Sequence, residues 1–479
     1  MRTPWPAAGT RAGRHPRRIL GPMSATPHPA PVPPSGASTG SRAPAPEPQP
    51  LVVRTTRIDP LPADLTALVD LLPDTRPLTW VRRGDGLVGW GEALRLDSFG
   101  PGRFADAEAA WRATLDRAVV RDEVRLPGTG PVAFGTFAFD DGAGDHFDGA
   151  RPEGSLIVPR VVVGRRGDVS WMTTVSPADQ LDAPGSEALA RTVRETVTSP
   201  GRVRFADGAV AARDWPAVVA EGVERIQAGE LDKVVLAREV LATTERPVDP
   251  RWVLARLAAG YASCWTFSVA GMVGATPELL VRSEKGLVTS RVLAGTIRRE
   301  PGMSDDDALL HAAQLARSSK DLEEHEYAVR SVARALEPFC SSMNVPDAPF
   351  VLHLPNVMHL ASDVTAVLDP ATHASSLTLA AALHPSAAVC GTPTTAARDL
   401  IREIEGIDRS RYAGPVGWVG ADGDGEWGIA LRSAELGEDP RHVRLFAGCG
   451  IVAASDPQAE LAESEAKLVP MSWALGGLS

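Results

Sequence analysis

Between Ala447 and Leu468 the chain reads AGCGIVAASDPQAELAESEAKL, and this stretch restricts its surroundings more tightly than any other. Gly448-Cys449-Gly450 reads as a turn where bare backbone can approach a ligand. Ser455 and Asp456 are each able to cap a helix, and Pro457 suits its first turn. Glu460, Glu463 and Lys467 recur at i, i+3 and i+7, so two carboxylates and an ammonium share one helical face. Leu461 and Leu468 fall on another stripe, suited to docking the helix on a core. Alone, such a face is the solvated side of a surface helix with one weak ion pair. It becomes a site only if the rest of the chain supplies partners.

Composition narrows what those partners can serve. The chain has 479 residues, 44% of them hydrophobic, enough for one large domain or two packed lobes. A net charge of −11 argues against indiscriminate nucleic-acid binding, and an anionic ligand would need a local pocket of Arg, Lys or backbone N–H groups. Cys264, Cys340, Cys390 and Cys449 are far apart without metal-ligand spacing, as expected of buried thiols in the cytoplasm. No apolar run reaches membrane-spanning length.

Residues 1–50 are rich in Pro, Ala and Arg without apolar periodicity and are expected to be a disordered extension. Arg17-Arg18 has no hydrophobic segment after it, so export is not expected. Residues 51–200 read as a structural lobe. It has a short helix over Asp64–Leu72, a hairpin around Arg83-Gly84-Asp85-Gly86, a helix through Phe104 and Trp111, and buried strands over Val132–Phe139 and Ser155–Val163. A Ser/Pro/Gly break at Thr198–Gly201 ends it.

The region 201–479 begins with a helix capped by Asp214 and ended by Gly229. A strand over Asp232–Val240 follows, on which Lys233, Val235 and Ala237 share a face. A lysine buried there sheds its proton more readily than a solvated one and becomes available as a base. Gly274–Arg282 reads as a turn running into a strand that surrounds Glu278 with apolar residues, and an unpaired buried glutamate is a candidate general acid. Gly295-Thr296 ends the next strand. Asp305–Leu336 is helical with a break near Ser318-Ser319, and with Ser319 as the cap, Glu323, Glu324 and Glu326 lie near the start of its second part. Gly428–Leu436 reads as one strand carrying Arg432.

Together, LDKVVLAR, GATPELLVR, LAGTIRR, SSKDLEEHE, HPSAAVCG, IALRSAEL and AGCGIVAASDPQAELAESEAKL occur in order from about residue 205 to the end. In these motifs the chain resembles the chorismate-utilising enzymes. The resemblance implies an α+β fold, a two-lobed α/β sandwich of large, mostly antiparallel sheets flanked by helices. Lys233 stands where anthranilate-forming members typically carry Gln, which favours water over ammonia as nucleophile. Ala294 stands where aminodeoxychorismate synthases place a nucleophilic lysine. Ala388-Val389 is the pattern of isochorismate synthases, whereas salicylate synthases tend to Thr-Ala. Leu461 departs from an aromatic found in several members.

The resemblance therefore implies an Mg²⁺-dependent isomerase that converts chorismate to isochorismate; the alternative is a salicylate synthase, which goes on to eliminate pyruvate. Water attacks C2 while the C4 hydroxyl leaves, which calls for a base, assigned to Lys233, and an acid, assigned to Glu278. Glu324 and Glu463 are expected to hold Mg²⁺, with Glu460 supporting them. Arg432 and Lys467 are expected on the substrate carboxylates, with Gly448 and Gly450 offering N–H groups. Gly295, Thr296, His359, Ala388 and Val389 are expected to complete the binding surface. No nucleic-acid or membrane partner is implied. A monomer suffices because every group comes from one chain, and at most a weak homodimer is expected.

Overall fold

Long β-branched and aromatic runs build most of the framework. In a computed structural model describing residues 50–141, 151–178, 195–299 and 302–476, hydrogen-bonded pairs link 21 strands into one continuous network. The expected 1–50 extension lies outside the described residues, except for Pro50. Described pairings are antiparallel apart from that of Leu51–Ile58 with Val119–Asp122. The fully buried Val132–Phe137 lies between Gly154–Arg166 and Pro415–Gly420. Leu78–Arg82 likewise pairs with Trp265–Val269. The stretches before and after residue 200 thus share a sheet, and Pro48–Ser479 forms one compact unit. They also share a core, in which Leu51, Trp111 and Phe137 cluster with Val234, Leu236 and Phe446. This is the expected α+β architecture, antiparallel sheet flanked by helices.

Several local expectations need correction. Asp64–Leu72 forms only a 3₁₀ turn at Val69–Leu71. The Asp64 carboxylate accepts from Thr66 N at 3.1 Å, a local bond that competes with helix, and Leu68 and Leu72 are buried. The helix Trp215–Gln227 begins without a side-chain bond from Asp214. It is anchored instead by Trp215, fully buried, whose indole N–H donates to Ala237 O at 3.3 Å. Ser318, rather than Ser319, caps Ser319–Leu336.

The final helix, Pro457–Leu475, follows the expected start. Asp456 accepts from Ala459 N at 2.8 Å, Ser455 Oγ accepts from Val452 N, and Gly476 closes the helix in left-handed geometry. Leu468, Met471 and Leu475 dock one side into a core beneath the Pro250–Gly260 helix. Among the described residues no helix is long and apolar enough to cross a membrane. Asp456→Ala should lower the thermal unfolding midpoint through loss of about 1 kcal/mol, while Asp456→Asn should retain most of the stability. An alanine variant that melts with the wild type would remove the cap from the account.

Candidate active site

The site is built on one pair of strands, Lys233–Thr244 and His442–Ile451, whose register sets Gly450 opposite Val235 and Gly448 opposite Ala237. Gly448-Cys449-Gly450 is therefore strand, not the expected turn. The glycine at 450 supplies space, because a Cβ there would overlap the Glu324 carboxylate and approach Lys233 Cε at 3.1 Å. Lys233 is fully buried, and its Nζ lies 3.3 Å from Glu324 Oε1 without hydrogen-bond geometry. Glu324 reaches it from Ser319–Leu336, a helix whose buried face also carries His325, Ala328 and Val332.

Glu278 and Arg432 both sit where strands stop. Met272–Thr276 and Leu279–Glu284 are separate strands, with Pro277 and Glu278 between them. The expected single strand over Gly428–Leu436 is likewise two, Gly425–Ile429 and Ser433–Leu436, and Arg432 in the gap has φ +49°. The gaps face one another: Ala275 N donates to Arg432 O at 3.2 Å, and Ile429 N donates to Glu278 O at 3.3 Å. Burial pushes the Glu278 carboxyl up to about 8 despite a bond from Leu293 N–H and the nearby charges of Lys233, Arg432 and Lys467.

A chain of hydrogen bonds fixes the opposite wall. Arg432 Nη2 donates to His359 Nε2 at 2.8 Å, and His359 Nδ1 lies 3.1 Å from Thr296 Oγ1. A guanidinium can only donate, so Nε2 accepts and the imidazole proton sits on Nδ1, facing the Thr296 oxygen. Burial, then Arg432 and Lys467, hold His359 well below its ordinary value and hence neutral. Thr296 reaches this place through a bulge at Gly295, φ +79°, and its own N–H donates to Asp321 Oδ1 at 3.2 Å. Arg432 Nε is buried with no hydrogen-bond partner.

The charged face of the last helix is not solvated. Lys467 Nζ contacts Glu463 Oε1 at 2.5 Å and donates to Gly448 O at 3.0 Å. Burial pushes Glu463 up, but Lys467 outweighs it and holds the carboxyl below its ordinary value. Lys320 Nζ meets Glu460 Oε1 at 2.5 Å; burial and then the Glu463 charge still push Glu460 up to about 7. Ligand atoms of Cys449, Glu460 and Glu463 lie within 4.8 Å of one another. Glu324 is outside that group and turned toward Lys233.

One cavity gathers most of the expected residues. Glu278, Gly295, Thr296, Glu324, His359 and Arg432 line it together with Ala388, Val389, Gly448, Gly450 and Lys467. Lys233, Glu460 and Glu463 are not on its lining. Sequence reasoning missed Arg409, Tyr412 and Phe446 on the wall and Lys320 behind it. Tyr412 stacks on Phe446 with ring centres 4.9 Å apart. Alternation from Gly448 and Gly450 would have put Phe446 on the same face. Lys320 precedes Glu324 by one helical turn, which left it indistinguishable from a surface pair.

Residues 48–476 match the family described as chorismate binding enzyme. The salicylate biosynthesis isochorismate synthase of Pseudomonas aeruginosa is 36% identical over 452 residues, covering 89% of this chain and 90% of that protein. The isochorismate synthase MenF of Bacillus subtilis is 33% identical over 372 residues, 74% of this chain and 77% of its own. The solved structure of MenF, the menaquinone-specific isochorismate synthase from Escherichia coli, superposes with a TM-score of 0.71 at 26% identity, covering 90% of this chain and 96% of that one. A match across nearly the whole described chain, and a relative aligned over most of both lengths, place this protein in the chorismate-binding enzyme family.

Proposed function

We propose that the protein is an isochorismate synthase, converting chorismate to isochorismate. The observation that carries this reading is the buried carboxyl of Glu278, pushed up to about 8 by that burial, in the same cavity as Arg432, Lys467 and Glu324, the last of which lies 3.3 Å from the buried Lys233. Similarity to isochorismate synthases of three bacteria supports it. Such a cavity suits a small dianion carrying a hydroxyl that must leave. Lys233 takes a proton from water as the water oxygen bonds to C2. The ring double bonds shift, the C4–oxygen bond breaks, and Glu278 gives its proton to the departing hydroxyl, which leaves as water. The chain's own cations do the binding. Arg432 has an unspent Nε, and Lys467 sits at the cavity edge between Glu463 and Gly448 O.

The carboxylate set also fits Mg²⁺. Glu460 and Glu463 bring hard oxygen donors close together, and the upward push on Glu460 from Glu463 marks excess negative charge that Lys320 and Lys467 only partly offset. Glu463 would hold the ion with Glu460 alongside, and Glu324 would join them on turning from Lys233. When bound, the ion would neutralise a carboxylate of the substrate dianion. The Cys449 thiol, donating to Glu460 O at 3.3 Å, is spent on the backbone.

Incubation with chorismate and Mg²⁺ followed by chromatography should yield isochorismate. Salicylate and pyruvate instead would make the protein a salicylate synthase, and unconsumed chorismate would overturn both readings. Lys233→Ala and Glu278→Gln should each lower kcat by about 10²–10⁴-fold, the span general acid–base groups supply, while Mg²⁺ binding persists. Near-normal turnover by either variant would undo the assignment. Because Glu278 must be protonated to act, kcat should fall about tenfold per unit as pH rises above 8. That limb should vanish from the residual activity of Glu278→Gln. Replacing Glu463 by Gln should shift the Mg²⁺ activation curve to higher concentration; an unmoved titration would take Glu463 out of the ion's shell.

A further inference from the structure

Arg409 lines the same cavity as Arg432, yet the two arginines are committed very differently. Arg409 Nε donates to Glu405 Oε1 at 2.7 Å and Nη2 to Glu405 Oε2 at 2.5 Å. Its Nη1 donates to Val389 O at 2.9 Å, and Nη2 also to Val235 O at 2.7 Å. The guanidinium carbon lies 4.2 Å from the ring centre of Phe139, which covers one of its faces. Four of the five N–H groups of an arginine are therefore spent on the scaffold. Glu405, 1% exposed, completes the unit by accepting from Ala237 N at 3.0 Å.

The backbone atoms held by this pair are specific. Val235 O and Ala237 N belong to the strand that begins at Lys233, and Val235 and Ala237 point to the same side as Lys233. Val389 O belongs to the wall formed by Ala388 and Val389. One buried ion pair thus fastens the base-bearing strand to the opposing wall, with fork geometry that a lysine cannot copy. We propose that Glu405–Arg409 is a positioning clamp for the reaction, setting Lys233 relative to the Ala388-Val389 wall without itself holding a substrate carboxylate. The inference rests on the isochorismate synthase reading for its kinetic consequence, but not for its structural one.

The two arginines should separate in kinetics. Arg409→Lys keeps the charge and an ion pair with Glu405 but loses at least one carbonyl. It should lower kcat tenfold or more with KM within threefold of wild type. Arg432→Lys should instead raise KM, because Arg432 lines the cavity with a donor the scaffold leaves unspent. Glu405→Gln, nearly isosteric, provides a second route to the same kcat loss if the lysine variant fails to fold. Native-state hydrogen exchange, read independently of turnover, should show faster exchange confined to residues 233–237 and 387–391. Wild-type kcat in both clamp variants, a rise in KM matching that of Arg432→Lys, or exchange that is unchanged or raised uniformly along the chain would overturn the proposal. If the wild-type protein makes no isochorismate, the activity reading fails and the exchange pattern alone decides the clamp.

Discussion

The pairing of Lys233–Thr244 with His442–Ile451 is the constraint on which the site depends. Side chains alternate along a strand, so a slip of one residue would turn Lys233 away from Glu324 and fill the space beside Gly450. The register is secured from several directions. Val203–Asp207 holds the far half of the first strand, Gly391-Thr392 crosses its beginning, and Trp215 donates to its Ala237 carbonyl. The second strand leads within a few residues to the Asp456 cap, so the same register also sets the height at which Glu460, Glu463 and Lys467 enter.

With that frame fixed, the charges behind the cavity sort into matched and unmatched. Lys233 faces Glu324, Lys467 faces Glu463, and Lys320 faces Glu460. In the last two pairs a partly buried cation meets a carboxylate, which limits the cost of removing both from water, whereas the fully buried Lys233 amine lies beside Glu324 without hydrogen-bond geometry. Arg432 faces a histidine that burial keeps neutral, and no carboxylate bonds it. Its positive charge is left for an incoming anion. Glu278 avoids the cost of a buried charge by staying protonated, which is the state an acid needs before the reaction starts.

Much of this was legible in the residues. The order of motifs named the family and with it the layered α+β framework, while the apolar runs and helix periodicity located several of its strands and helices. The i, i+3, i+7 face on the last helix proved to be an inward one. What could not be read were facts of environment. An acid and a base one helical turn apart look alike on a surface and in a core. Lys320, one turn from Glu324, and the pair Glu405–Arg409 were therefore passed over, although Arg409 and Glu405 are among the most buried ions of the described residues. The glycines at 448 and 450 carried the right importance for a different reason. A glycine pair suggests a turn, but with strand partners on offer the backbone stays extended and the missing Cβ serves Glu324.

The strand interruptions at Glu278 and Arg432 were invisible for a related reason, since both lie in apolar runs that suit unbroken strands. Had the strands been continuous, alternation alone would have oriented each side chain, and a charged group on a face packed against core would have met apolar neighbours. Instead the two chains leave the ladder at the same level, and each lends the other a carbonyl: Glu278 O to Ile429 N and Arg432 O to Ala275 N. The exchange keeps backbone groups satisfied where the regular pattern is lost. It also frees φ at Arg432 to go positive, a conformation a non-glycine residue adopts only where its surroundings hold it. Because the gaps are opposite one another, an acid and an arginine reach the same cavity from adjacent strands. Neither placement is available to a residue obeying strand alternation, so the interruption is what turns a β-framework into a site.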